Sequence, residues 1–168
     1  MAKIFLKLLL AAASGVLFSI AIAGPLSQGS PPPDFSLRSL DEKNLRLSEY
    51  RSEVVILNFW APWCGKCLEA LQSLDALYAD YREAGLQVLS VTVEGPPEDI
   101  REHLSGTGIS FPVLTDDDYK SVSRMYDLGK LPLTLLIDRE GNLRYRHAGL
   151  KRETNQKIVG QLEVLLSE

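Results

Sequence analysis

Cys64 and Cys67 are the only cysteines in the 168-residue chain, and they stand three residues apart in the stretch Asn58–Cys67, NFWAPWCGKC. Two thiols at that spacing suit three kinds of chemistry: dithiol/disulfide exchange, a soft two-thiolate metal site, or an inert cross-link. A bridge closing so short a loop constrains little of the unfolded chain, because stabilisation grows with loop length. A copper(I) site or half of a zinc site would need more soft or imidazole ligands, and no third cysteine, nearby histidine pair or methionine cluster accompanies the two thiols. Exchange needs a thiolate, and a helix beginning beside the pair would supply one. Unpaired N–H groups and the positive end of the helix dipole would lower the Cys64 pKa from its free value of about 8.5 and make it the attacking group. Cys67, one turn further in, would resolve the mixed disulfide. Gly65 keeps the turn open, and Lys66 either adds positive charge beside both sulfurs or is a solvated surface lysine. The expected cofactor is none, apart from the redox-active Cys64–Cys67 disulfide itself.

The elements that must hold this pair are legible around it. Val54–Trp60 is an unbroken β-branched, apolar and aromatic run, which fits a strand buried on both faces. After Pro62, Leu68, Leu71, Leu74, Leu77, Tyr78 and Tyr81 recur at helical spacing until Gly85, so a helix starts at or next to the cysteines. Leu86–Val93 reads as a second buried strand, and Pro96-Pro97-Glu98-Asp99 opens a helix with proline and acids in its first turn, ending near Gly106. Phe111–Leu114 reads as a short extended piece, and Asp117 or Asp118 as the cap of a helix holding Val122, Met125 and Tyr126 that stops at Gly129. Leu133–Asp138 is a third buried strand, and Leu143–Ala148 pairs back across the turn Arg139–Asn142. Glu153–Leu166 places Ile158, Leu162, Leu165 and Leu166 on one helical face. Upstream, the alternation in Asp34–Leu37 and Leu45–Leu47 signals a hairpin, with Ser48 capping a helical turn. The expectation is an α/β fold with a central mixed sheet, helices on both faces and an added N-terminal hairpin.

Residues 1–24 stand apart from this fold. Lys3 and Lys7 precede an uncharged run that ends in Ala21-Ile22-Ala23, a small-x-small cleavage pattern. The segment reads as a secretory signal peptide; the alternative is an uncleaved anchor, for which Leu8–Gly24 lies at the short end of the roughly 17 to 25 residues a spanning helix needs. No cysteine lies at the cleavage position to carry a lipid there. Residues 25–33, PLSQGSPPP, read as a semi-rigid linker, and 34–168 as one domain. Without Lys3 and Lys7 the 18 basic residues fall to 16 against 22 acidic ones, which argues against a nucleic-acid-binding surface.

NFWAPWCGKC after a buried strand, followed by KLPLTLLIDREGNL, resembles the thioredoxin superfamily. The hairpin DFSLRSLDEKNLRLSEY with the N-terminal segment is similar to its exported branch, the TlpA/ResA-like thiol-disulfide oxidoreductases, and the resemblance spans Asp34–Leu166. It implies a thioredoxin-like fold and a cis Leu131–Pro132 bond lying against the disulfide. It also implies an active site of Cys64 and Cys67 supported by Pro62, Trp63, Gly65, Lys66, Leu131 and Pro132. Trp63 would cover the disulfide as part of an apolar docking surface, while Trp60 belongs to the core. Members of this branch often carry a buried glutamate near the end of the second strand. Glu94 is the nearest candidate, either buried and able to take the Cys67 proton or an exposed acid at a strand end. Glu98 reads as a dipole partner, and His103 and His147 as surface residues.

Three departures set it apart: Lys66 replaces the proline or other residue more usual before the second cysteine, Leu133 stands where a small polar residue is common, and Glu94 matches the family glutamate only to within a residue or so. The resemblance implies a periplasmic protein that reduces partner disulfides, in cytochrome c or cytochrome oxidase assembly or more generally. Its electron donor would be an upstream, membrane-embedded thiol-disulfide protein. Contact with a membrane would follow only if residues 4–24 stay as an anchor. A peroxidase of the peroxiredoxin type is disfavoured because Ala61, not Thr or Ser, stands three residues before Cys64. Metal handling and an inert disulfide are the competing expectations.

Overall fold

The structure, a computed structural model, describes residues 26–116 and 121–168. A seven-stranded mixed sheet runs through it. Its strands are β1 (Ser36–Ser39), β2 (Asn44–Arg46), β3 (Val54–Trp60), β4 (Leu86–Thr92), β5 (Val113–Thr115), β6 (Leu133–Ile137) and β7 (Leu143–Ala148), in the order β2-β1-β5-β4-β3-β6-β7. β3, β4 and β5 are mutually parallel, and the flanking strands are antiparallel. The helices are α1 (Cys67–Tyr81), α2 (Pro97–Leu104), α3 (Val122–Met125) and α4 (Arg152–Ser167).

The pleat of β3 explains the two-sided core. Val54, Ile56 and Trp60 point to the face that α1, α2 and α4 cover with Leu71, Leu74, Ile100, Ile158, Leu162 and Leu165. Val55, Leu57 and Phe59 point to the other face, where Phe35, Leu47, Val122 and Tyr126 pack. Because both faces are covered, all seven residues of β3 are buried, the polar Asn58 among them. The fold class is the expected one, including the antiparallel β1–β2 hairpin.

Local boundaries differ in places. β5 starts at Val113, two residues after Phe111, which stays out of the ladder as a core side chain beside Tyr78. Ser48 does not cap the turn Leu47–Tyr50, whose cap position is Arg46; its hydroxyl donates to the Asp34 carboxylate instead. Asp117 and Asp118 lie outside the described residues, and it is Asp116 that holds the start of α3, accepting the N–H groups of Val122 and Ser123. Residues 26–33 do not trail as a spacer. Leu26 packs on the core, Gly29 N–H donates to the Leu143 carbonyl at 2.7 Å, Leu143 N–H donates to Ser30 at 3.0 Å, and the Tyr126 hydroxyl donates to the Pro33 carbonyl.

Candidate active site

β3 and α1 set the thiols in place. After β3 ends at Trp60, the Cys64 N–H donates to the Ala61 carbonyl at 3.1 Å and the Cys67 N–H to the Cys64 carbonyl at 2.9 Å, which winds the chain into α1. The helix begins at Cys67 with Lys66 at the cap position, so Cys64 precedes it by one turn, off the end where the first N–H groups and the dipole leave positive charge. The two cysteines form a disulfide with Cα atoms 5.4 Å apart. Their surroundings are unequal. Cys67 is 1% exposed inside the core on the α1 side, whereas Cys64 is partly exposed, touches both cores at the end of the sheet and opens on a groove of about 570 Å³.

That groove has apolar walls from Trp63, Val93, Leu128 and Leu131, and Lys130 is its one charged lining residue among the described residues. Leu131 and Pro132 sit at the start of β6, next to β3, and the bond between them is cis. Pro62 is partly buried, and Gly65 and Lys66 are exposed. Lys66 Nζ lies 2.8 Å from Glu69 Oε2, an exposed pair that balances its charge locally. Trp63 is 65% exposed and lines the groove together with Cys64.

Glu94 is exposed, two residues past the end of β4, and its carboxylate accepts the Trp63 indole N–H. The sheet that would bury a side chain there has ended, and Thr92 Oγ1 donates to the Glu94 carbonyl at 2.8 Å, turning the chain outward. Next to it, Gly95 has φ +98°, and a Cβ there would fall 3.0 Å from Ile100 Cδ1 and 3.9 Å from Pro62 Cγ. The positive φ, and the tight approach to the Ile100 side chain, favour glycine at this turn.

Beneath the site lies a buried polar cross-link that sequence patterning does not reveal. Asn58 is fully buried; its Nδ2 donates to the Leu133 carbonyl at 3.3 Å and to Thr134 Oγ1 at 3.1 Å, and Ser90 Oγ donates to its Oδ1 at 3.4 Å. It joins β4, β3 and β6 at side-chain level and satisfies polar groups that burial would otherwise penalise. Val93, Leu128 and Lys130 are the other contributors that sequence reasoning missed. His103 stacks on Trp60, and His147 pairs with Gln161, both away from the groove lining. Glu98 is exposed in the first turn of α2. Among the described residues no cluster of three or more His, Cys, Asp or Glu is arranged to hold a metal, and no helix is long and apolar enough to cross a membrane. Residues 1–24 lie outside the described residues.

This geometry has named counterparts. Residues 28–146 match the AhpC/TSA family. The chain is 33% identical over 146 residues to thiol-disulfide oxidoreductase ResA of Geobacillus thermodenitrificans, covering 86% of this chain and 83% of that one. It is 35% identical over 135 residues to ResA of Geobacillus kaustophilus, covering 80% and 76%. A Chlorobium tepidum crystal structure, described as a thiol:disulfide interchange protein DsbE, superimposes with a TM-score of 0.79 at 29% identity over 84% of this chain and 99% of that one. The chain thus belongs to the AhpC/TSA family and is a thioredoxin-fold, ResA-like thiol-disulfide oxidoreductase.

Proposed function

We propose that the protein reduces disulfides of exported partner proteins through a two-step exchange at Cys64 and Cys67. The Cys64 thiolate attacks one sulfur of the partner disulfide, forming a mixed disulfide and releasing the other partner sulfur as a thiolate. Cys67 then loses its proton and attacks Cys64 Sγ, which frees the second partner thiolate and leaves the Cys64–Cys67 disulfide. Two electrons pass to the partner, and an upstream dithiol must return them. The step draws on the disulfide itself and no further cofactor. The observation that carries this reading is the unequal burial of the pair, with Cys64 open to the groove and Cys67 1% exposed behind it. The helix terminus at Cys67 supports the assignment of Cys64 as the stabilised thiolate.

The N-terminal sequence supports export to the periplasm, followed by cleavage or by anchoring through residues 4–24. Resemblance to the ResA-like branch supports cytochrome c or cytochrome oxidase assembly proteins as partners and a membrane-embedded donor. Glu94 acts as a supporting residue of the groove through its hold on Trp63, and Lys66 as a cation beside the thiols.

Alkylation of the reduced protein tests the reading. Cys64 is expected to react far faster than Cys67 near neutral pH; equal, slow rates at both would overturn it. The equilibrium potential tests direction: a value near about −270 mV supports a reductant and one near about −120 mV an oxidant.

A further inference from the structure

Lys130 is the one charged residue lining the groove among the described residues, and it forms no hydrogen bond or ion pair with them. Its position is nevertheless defined. Gly149 has φ +76°, and a Cβ there would lie 3.1 Å from Lys130 Cε and 3.6 Å from Nζ, so the lysine stem rests on bare backbone that a side chain would fill. The Gly149 N–H donates to the Pro132 carbonyl at 2.7 Å, which ties this cradle to the cis Leu131–Pro132 peptide, whose Leu131 lines the groove with Cys64. Lys66, the other cation near the thiols, differs on both counts. It is matched by Glu69 at 2.8 Å and does not line the groove.

A partner segment must place a sulfur at Cys64 while its neighbouring side chains lie against Trp63, Leu128 and Leu131. An extended chain advances about 3.3 Å per residue, so the residues one or two positions from its cysteine share the groove with Lys130. We propose that Lys130 is a specificity-determining residue of the exchange reaction, favouring partner segments with a carboxylate one or two residues from the cysteine that meets Cys64. The inference rests on the exchange reading above. The chain's overall charge of −4 does not oppose it at contact range, because charges farther away than about 8 Å are screened at physiological ionic strength. Lys130 stands on the wall it shares with Leu128 and Leu131, so the preference applies to one flank of the cysteine only.

Single-turnover reduction of short peptide disulfides by the full-length dithiol protein tests this. The peptides carry Asp, Asn or Lys at one flank of the cysteine or at the other, and the appearance of peptide thiol is followed. The Asp peptide of one flank should react roughly two- to fivefold faster than its Asn counterpart, the range typical of an exposed ion pair. The advantage should fade toward unity near about 0.5 M salt. Lys130→Gln should abolish the ranking, Lys130→Glu should invert it toward the Lys peptide, and Lys130→Arg should retain it. Equal rates for all peptides with the parent protein, or a ranking unchanged in Lys130→Gln, would overturn the role of Lys130 while leaving the exchange reading intact. No reduction of any peptide disulfide by the parent or the variants would overturn the exchange reading, and this inference with it.

Discussion

Replacing Asp116 by alanine probes how the groove wall formed by Leu128–Leu131 is held. Asp116 is 4% exposed, and its carboxylate serves four donors: Ser121 Oγ at 2.8 Å, Val122 N–H at 3.2 Å, Ser123 N–H at 3.1 Å and Ser123 Oγ at 2.9 Å. α3 is a single turn of four residues, too short to be held by propagation alone, so this carboxylate does for it what propagation does for a longer helix. Losing a cap costs about 0.5–2 kcal/mol, and a hydrogen bond to a charged acceptor is worth about 1.5–3 kcal/mol. The four contacts share one acceptor group and are not additive, so the expected loss is about 2–3 kcal/mol. At roughly 2–4 °C per kcal/mol for a domain of this size, Tm should fall by about 4–12 °C. Asp116→Asn keeps one acceptor oxygen and should lose about half as much. Urea unfolding followed by circular dichroism measures both. Because α3 leads directly into the groove wall, the alanine variant should also need a higher concentration of peptide disulfide for half-maximal rate. An Asp116→Ala protein within about 0.5 kcal/mol of the parent would refute the assignment of Asp116 as the anchor of α3.

Two further predictions concern the N-terminal segment. Burial works against the charge of Asp34, but hydrogen bonds from Arg46 and Ser48 outweigh it and hold its carboxyl below the usual aspartate value. A depressed folded value means that its stabilising effect is complete above the unfolded value of about 3.9 and is lost as pH falls through the folded one. The stability gap between the parent and Asp34→Asn should therefore be present at pH 7 and close below about pH 4, and a gap of constant size from pH 7 to pH 2 would refute the assignment. Burial, with a contribution from the Asp34 charge, pushes the Tyr126 phenol well above its usual value, so it stays a neutral donor to Pro33 at any ordinary pH. Tyr126→Phe should cost about 1 kcal/mol and speed subtilisin cleavage ahead of Phe35; an unchanged cleavage rate would show that the hydroxyl does not restrain this segment.

Much of the fold could be read directly because each central element carries its own periodicity. β3 is a β-branched, apolar and aromatic run broken only by Asn58, α1 repeats at three and four, and the cysteines lie at the junction between them. The groove could not be read in this way. Val93, Leu128 and Lys130 follow β4 and α3 in separate loops, and they meet Cys64 only because the strand order sets those loops beside one end of β3. The role of Asn58 depends on Ser90 and Thr134, its register partners on two other strands. Residues 26–33 look like a spacer because proline, serine and glycine show no apolar period, yet they are held by backbone groups at Gly29, Ser30 and Pro33, which composition does not report. The outward turn of Glu94 is set by where the ladder stops, a boundary that patterning locates to within a residue or two.

The hydrogen bonds of Gly29 and Ser30 to Leu143 also have a directional meaning. Leu143 pairs with Ile137, and Ile137 with Val55, at the end of the sheet where β3 begins; the groove is at the end where β3 finishes. Five strand steps of about 3.3 Å place the two ends roughly 17 Å apart. The described chain therefore begins at the end of the sheet opposite Cys64, so a tether reaching Leu26 from that end would leave the reactive sulfur facing away from it. Attachment of that end to a bead or a lipid vesicle leaves the approach to Cys64 open, whereas attachment through the Trp63 rim would close it.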